Sequence, residues 1–124
     1  MKPGLILFAH GARDPAWAAP FEAVAARVRR SQPDAEVRLA FLELMSPSLP
    51  EAGAALAAAG CTQVAVLPLF LGTGGHVRKD LPLLVDALRS AHPGVTFHLH
   101  GAVGEDDGVI AAMAAAAART LQAP

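Results

Sequence analysis

Gly4-Leu5-Ile6-Leu7-Phe8-Ala9-His10-Gly11-Ala12-Arg13-Asp14-Pro15 is the stretch that decides the fold. Its first six residues are apolar without alternation, over the length of a strand. A strand with one face in water alternates apolar and polar residues, whereas a continuous apolar run implies cover on both faces, as in a parallel sheet. Working outward, Pro15 to Ser31 places Trp17, Phe21, Val24 and Val28 at intervals of three or four, a helical spacing. Glu36 to Leu42 reads as a second strand. Ser48 to Ala59 reads as a second helix, with Ser48 three residues before Glu51 as in a capping box, Pro50 in the first turn and Gly60 at the end. Thr62 to Leu71 contains a third strand around Val64-Ala65-Val66-Leu67. Val77 to Ala91 is a third helix with Leu81, Leu84, Val85 and Leu88 on one face. Thr96 to His100 is a short fourth strand, and Glu105 to Leu121 an alanine-rich last helix.

Strands alternating with helices of this length imply βαβ units on a parallel sheet. The expectation is one α/β domain over residues 1–124. It has three layers: a four-stranded parallel sheet of flavodoxin-like winding, order 2-1-3-4, with helices on both faces.

Composition narrows the function classes. The chain has 124 residues, 53% hydrophobic and 17% charged, with a net charge of −1. Low hydrophobicity with high net charge, the mark of disorder, is absent. So is the bulk positive charge of a nucleic-acid binder, so no nucleic-acid partner is expected. The most apolar run, Val109 to Ala118, is too short to span a membrane. The N-terminus runs straight into a strand without a signal-peptide pattern. The single cysteine, Cys61, suits a reducing cytoplasm and reads as a small buried hydrophobe.

Ligands of open parallel sheets bind beyond the carboxyl ends of the strands. After strand 1 stands His10, with Arg13 and Asp14 close behind. Glu43 follows strand 2. Gly72-Thr73-Gly74-Gly75-His76-Val77-Arg78-Lys79 follows strand 3, and His100 ends strand 4. In the order 2-1-3-4, Glu43, His10 and His76 fall on consecutive strands about 4.8 Å apart. Two imidazoles and a carboxylate with positions left open suit a divalent transition metal. Glu43 interrupts the apolar run Phe41-Leu42-Glu43-Leu44-Met45 and is expected to be partly buried, needing a partner or a proton. Arg13, Arg78 and Lys79 ring the same mouth, where they are either a solvated rim or the contacts of a polyanionic ligand. The glycine loop matches neither a dinucleotide nor a P-loop fingerprint, so no nucleotide is expected. Its glycines leave room for a flat or bulky ligand or simply make a turn.

Each residue also has a plain structural reading. A histidine at a strand end often only hydrogen-bonds a loop, Glu43 could be one half of a salt bridge, and Asp14-Pro15 could start a helix. His98 reads as a surface residue of an edge strand, and His92 as a helix C-terminal residue.

Together the segments Leu7 to Pro15, Phe41 to Leu44 with Pro47-Ser48-Leu49, and Val66 to Leu71 running into Gly74 to Asp80 resemble the small CbiX-type chelatases, which are similar to half of the longer sirohydrochlorin chelatases and ferrochelatases. The resemblance spans nearly the whole chain. It implies insertion of Co²⁺ or Fe²⁺, with Ni²⁺ in vitro, into sirohydrochlorin for cobalamin or sirohaem synthesis, without ATP. It implies that His10 and His76 are the family's metal-handling histidines, and that Glu43 is a third ligand or proton acceptor. Gly74, Gly75, Arg13, Arg78 and Lys79 would meet the tetrapyrrole, in a cleft between the halves of a homodimer. Ala12 departs from the family pattern, where serine is common.

Three other classes share parts of this pattern. Histidine phosphotransferases and phosphatases place Arg before the His-Gly, where this chain has Ala9. A receiver domain needs an acidic cluster after strand 1, which is missing. A metal-delivery module would use the same His10 and His76 without turnover.

Overall fold

The structure, a computed structural model, describes residues 2–122. Four strands, β1 (Pro3–Ala9), β2 (Glu36–Phe41), β3 (Gln63–Pro68) and β4 (Thr96–Leu99), form one parallel sheet in the order β2-β1-β3-β4. Both the order and the direction expected from the sequence are met. β1 lies between β2 and β3, so Leu5 is in register with Val37 on one side and Ala65 on the other.

The unbroken apolar run of β1 is buried on both faces. Ile6 and Phe8 join Val64, Val66 and Phe97 in the larger core, beneath helices α2 (Leu49–Ala58) and α3 (Gly75–Ala91) through Ala52, Leu56, Leu81, Val85 and Leu88. On the opposite face Leu7 and Val37 pack with Ala25 and Val28 of helix α1 (Ala19–Ser31). Each fully buried aliphatic or aromatic side chain contributes about 1.5–3 kcal/mol.

The first helical segment is split. Pro15–Ala18 is a 3-10 turn, capped by Asp14 Oδ1, which accepts from the Ala16 N–H at 2.9 Å. Only from Ala19 is the chain α-helical. Pro20 lacks an N–H to donate, so it is tolerated only in the first turn of the new helix. The Ser48 capping box forms on α2: Ser48 Oγ accepts from Glu51 N at 3.3 Å, and Ser48 N donates to Glu51 Oε1 at 2.9 Å. α3 begins at Gly75, two residues before the expected start, with Gly74 as its extended N-cap.

Two arginines hold the outer strands in the same way. Arg29 at the end of α1 donates to the Val37 carbonyl of β2 at 2.9 Å. Arg89 at the end of α3 donates to the Phe97 carbonyl of β4 at 2.7 Å. The last helix, α4 (Asp107–Arg119), is capped by Asp106, whose Oδ1 accepts from Gly108 N at 2.7 Å. It forms where the sequence predicts, two residues shorter at each end, and buries none of its residues.

Candidate active site

The parallel ladder runs on past the last residues of the strands, and this extension positions the site. Leu42 N donates to Ala9 O at 2.9 Å, and Glu43 N to His10 O at 3.1 Å. On the other side Leu69 N donates to Phe8 O at 2.8 Å, and His100 N to Val66 O at 2.9 Å. His10 and Glu43 are therefore backbone partners before their side chains meet.

Those side chains do meet. His10 Nε2 lies 3.2 Å from Glu43 Oε1, with the two side chains 50% and 55% exposed. Glu43 was expected to be partly buried. It is instead exposed, because the chain leaves the sheet at Phe41 and the residues beyond it lie over the mouth rather than in the core. It still has a partner, in His10. Edge-on to the imidazole stands Phe70, its ring centroid 6.1 Å away at 64°, itself tilted against the buried Phe8.

Gly11 fixes the loop that carries His10. Its φ is +98°, and a Cβ on it would overlap the carbonyl oxygen of Glu43. Only glycine fits that conformation and that approach. Sequence reasoning treated this glycine as part of a motif without finding its job. Its close packing needs two strand ends at once, which no local pattern reveals.

His76 sits in the first turn of α3 and is exposed. Among the described residues no three His, Cys, Asp or Glu side chains stand close enough to hold one ion. The structure thus joins His10 to Glu43 and keeps His76 apart. The physical reason is chain length: β3 ends at Pro68, and the Leu69–Gly74 segment intervenes before the helix that carries His76.

Gly74 and Gly75 have open space where a Cβ would be, so their approach surface is clear. Arg13 and Lys79 are exposed. Arg78 lines a cleft of about 190 Å³ with Thr73, Leu81, His100 and Glu105. Glu105 was expected inside the last helix. It ends a separate 3-10 turn, Val103–Glu105, and lines this cleft as well as a neighbouring one of about 320 Å³ with His100 and Asp106. Neither Glu105 nor Phe70 was singled out from the sequence. Both lie beyond the strand ends only because of how the loops turn.

The arrangement is an imidazole and a carboxylate in contact, open to solvent, with cations at the rim.

A CbiX family model matches residues 4–120. The chain belongs to the CbiX family. Sirohydrochlorin cobaltochelatase of Methanosarcina acetivorans is 35% identical over 81 residues, which are 65% of this chain and 62% of that protein. Sirohydrochlorin ferrochelatase of Bacillus subtilis is 31% identical over 117 residues, 91% of this chain and 43% of that protein. The CbiX chain thus spans under two thirds of one relative's length and under half of the other's. A crystal structure of a cobalamin (vitamin B12) biosynthesis CbiX protein from Marinobacter aquaeolei superposes with a TM-score of 0.87 at 33% identity, over 98% of this chain and 99% of that one. The four-stranded order found here is therefore the fold of the family.

Proposed function

We propose that this one domain inserts a divalent metal, Co²⁺ or Fe²⁺, into sirohydrochlorin, in a step that uses no ATP. The observation that carries the reading is the His10–Glu43 pair at the ends of adjacent strands, in a family whose named relatives are cobalto- and ferrochelatases. Ni²⁺ is a further substrate in vitro. The site is cytoplasmic, with the tetrapyrrole held between two copies of the chain. Among the described residues no helix is long and apolar enough to cross a membrane.

His10 Nε2 and Glu43 Oε1 receive the incoming ion, and His76, outside that pair in the structure, is assigned as a third ligand that must approach it when the ion binds. The imidazoles bind metal only when neutral, so acid lowers the rate. Each ion inserted displaces two pyrrole N–H protons. Glu43, touching His10 and open to solvent, takes up a proton and returns it to water. The planar macrocycle must buckle to present its nitrogens, and a cleft that fits the buckled ring lowers the barrier by differential binding. Gly74 and Gly75 allow the ring to come close. Arg13, Arg78 and Lys79 meet its carboxylates.

An absorbance time course of sirohydrochlorin with Co²⁺ or Fe²⁺ tests the reading, with His10→Ala and His76→Ala alongside. Acceleration by the native protein, lost in both variants, is the expected result. Metal binding without acceleration would make the protein a carrier instead, and full rate in His10→Ala would remove the assigned site.

A further inference from the structure

Leu44 stands directly after Glu43 with its backbone in the left-handed region, at a φ of +66°. Among the described residues it is the only non-glycine with such a φ. The conformation crowds Cβ against the backbone, so glycine and asparagine are its usual occupants and a bulky side chain is penalised.

The leucine gains nothing from the fold in return. It is 61% exposed, while Leu42 and Met45 on either side of Glu43 and Leu44 turn inward, the first onto the larger core and the second onto Ala9, Ala18 and Phe41. An exposed leucine alone is ordinary on a protein surface. One that is exposed and strained carries two costs that a glycine at the same turn would avoid. Strain of this kind persists where a site uses the side chain it presents.

A second leucine stands across the mouth. Leu44 is the third residue beyond β2, and Leu71, 69% exposed, is the third beyond β3. β1 runs between those strands and ends at His10. β2 and β3 are two sheet spacings apart, about 10 Å. Both leucines have fixed backbones. Leu44 follows the bond from Glu43 N to His10 O and the tight fit of Gly11 on the Glu43 carbonyl. Leu71 is held where Gly104 N donates to the Phe70 carbonyl at 3.0 Å and where a Cβ on Gly104 would overlap the Leu71 carbonyl.

We propose, on the strength of the chelatase reading above, that Leu44 contacts the substrate: with Leu71 on the other side of His10 it forms an apolar seat for one face of the tetrapyrrole ring. The rim cations can hold the carboxylates at the ring's margin, which fixes the ring within its own plane. Only contacts on the face set its height and tilt over the His10–Glu43 pair. Seating the ring removes its apolar face and both leucines from water together, which favours the bound state.

The test titrates sirohydrochlorin into the metal-free protein, followed by absorbance, and times chelation with Co²⁺ on the same samples. Leu44→Gly should keep the melting temperature, because glycine adopts this φ freely. It should bind sirohydrochlorin about tenfold more weakly, the loss expected for one leucine's apolar contact. Leu44→Asn, which also tolerates the turn but is polar, should lose as much, and Leu44→Met should recover most of the affinity. Leu71→Ser should weaken binding similarly, whereas Leu83→Ser, at an equally exposed leucine of α3, should not. At saturating sirohydrochlorin the Co²⁺ dependence should stay native in all of them, since none removes a metal ligand. Native affinity in both Leu44→Gly and Leu44→Asn would overturn the seat and leave the chelatase reading standing. Binding by the native protein without metal insertion would overturn the chelatase reading, with the leucine variants still deciding the seat by affinity. No binding by the native protein would overturn both.

Discussion

Gly11 and Glu43 are packed backbone to backbone. The carbonyl of Glu43 occupies the space that any side chain on Gly11 would need, and Gly11 holds a φ of +98° that penalises every other residue. Two independent costs therefore fall on a single methyl group. Gly11→Ala is expected to destabilise the protein by about 2–4 kcal/mol, combining left-handed strain with a displaced strand end. A thermal melt should fall by several degrees, and the chelation rate should fall with it, because the same shift moves Glu43. An unchanged melting temperature would mean that the loop has slack the structure does not show.

His10 and Glu43 should behave in the opposite way. Their contact is half-exposed, and even a charged pair so exposed contributes at most about 1 kcal/mol. His10→Ala and Glu43→Gln should leave the denaturation midpoint nearly unmoved. Loss of a positioned acid–base group typically costs 10²–10⁴-fold in rate, so each variant should lose about that much chelatase activity. A large loss of stability in either would reassign the pair to the architecture.

The capping box on α2 gives a pH signature. Hydrogen bonds from the Ser48 backbone and side chain hold the Glu51 carboxyl below its ordinary value. A carboxyl with a lowered folded pKa adds stability above its unfolded pKa and loses it as pH falls through the folded one. Urea midpoints of the native protein and Glu51→Gln should therefore differ at neutral pH and converge in strong acid. Ser48→Ala should cost about 1 kcal/mol at neutral pH. A gap that persists unchanged in acid would rule out the charged cap.

Cys61 is buried against Gly4, and burial pushes its thiol up from the ordinary value. The protonated form is favoured in the fold, so its contribution to stability is present below the unfolded pKa and lost as pH rises through the folded one. Native protein should react with an aromatic disulfide reagent far more slowly than protein in denaturant. Equal rates would place the thiol at the surface.

The strands were legible because burial on two faces leaves an unbroken apolar run, as in Leu5 to Ala9, whereas the order was taken from the flavodoxin-like winding, which the runs themselves do not fix. Ser48 and Glu51 were legible because a cap is local in sequence. The site was legible in part. His10 and Glu43 fall at strand ends and meet in space. His76 does not join them, since its place depends on the path of the Leu69–Gly74 segment. Phe70, Glu105 and the fit of Gly11 against Glu43 are products of loop geometry, which no periodicity encodes. The helix of α4 was readable from its alanines and acidic start, but its lack of a packing partner was not, because helical spacing says nothing about what lies opposite.

Arginine outnumbers lysine eight to two along the chain, an excess that composition alone gives no purpose. Arg29 and Arg89 give part of it a purpose. Each places a guanidinium on a carbonyl of one of the two outermost strands, β2 and β4. An open sheet is a template for runaway edge-to-edge growth, and charged side chains laid along the margin discourage it. The two arginines act as selvedges: they bind off the fabric on both sides, so that contact between copies is left to surfaces other than the strand edges.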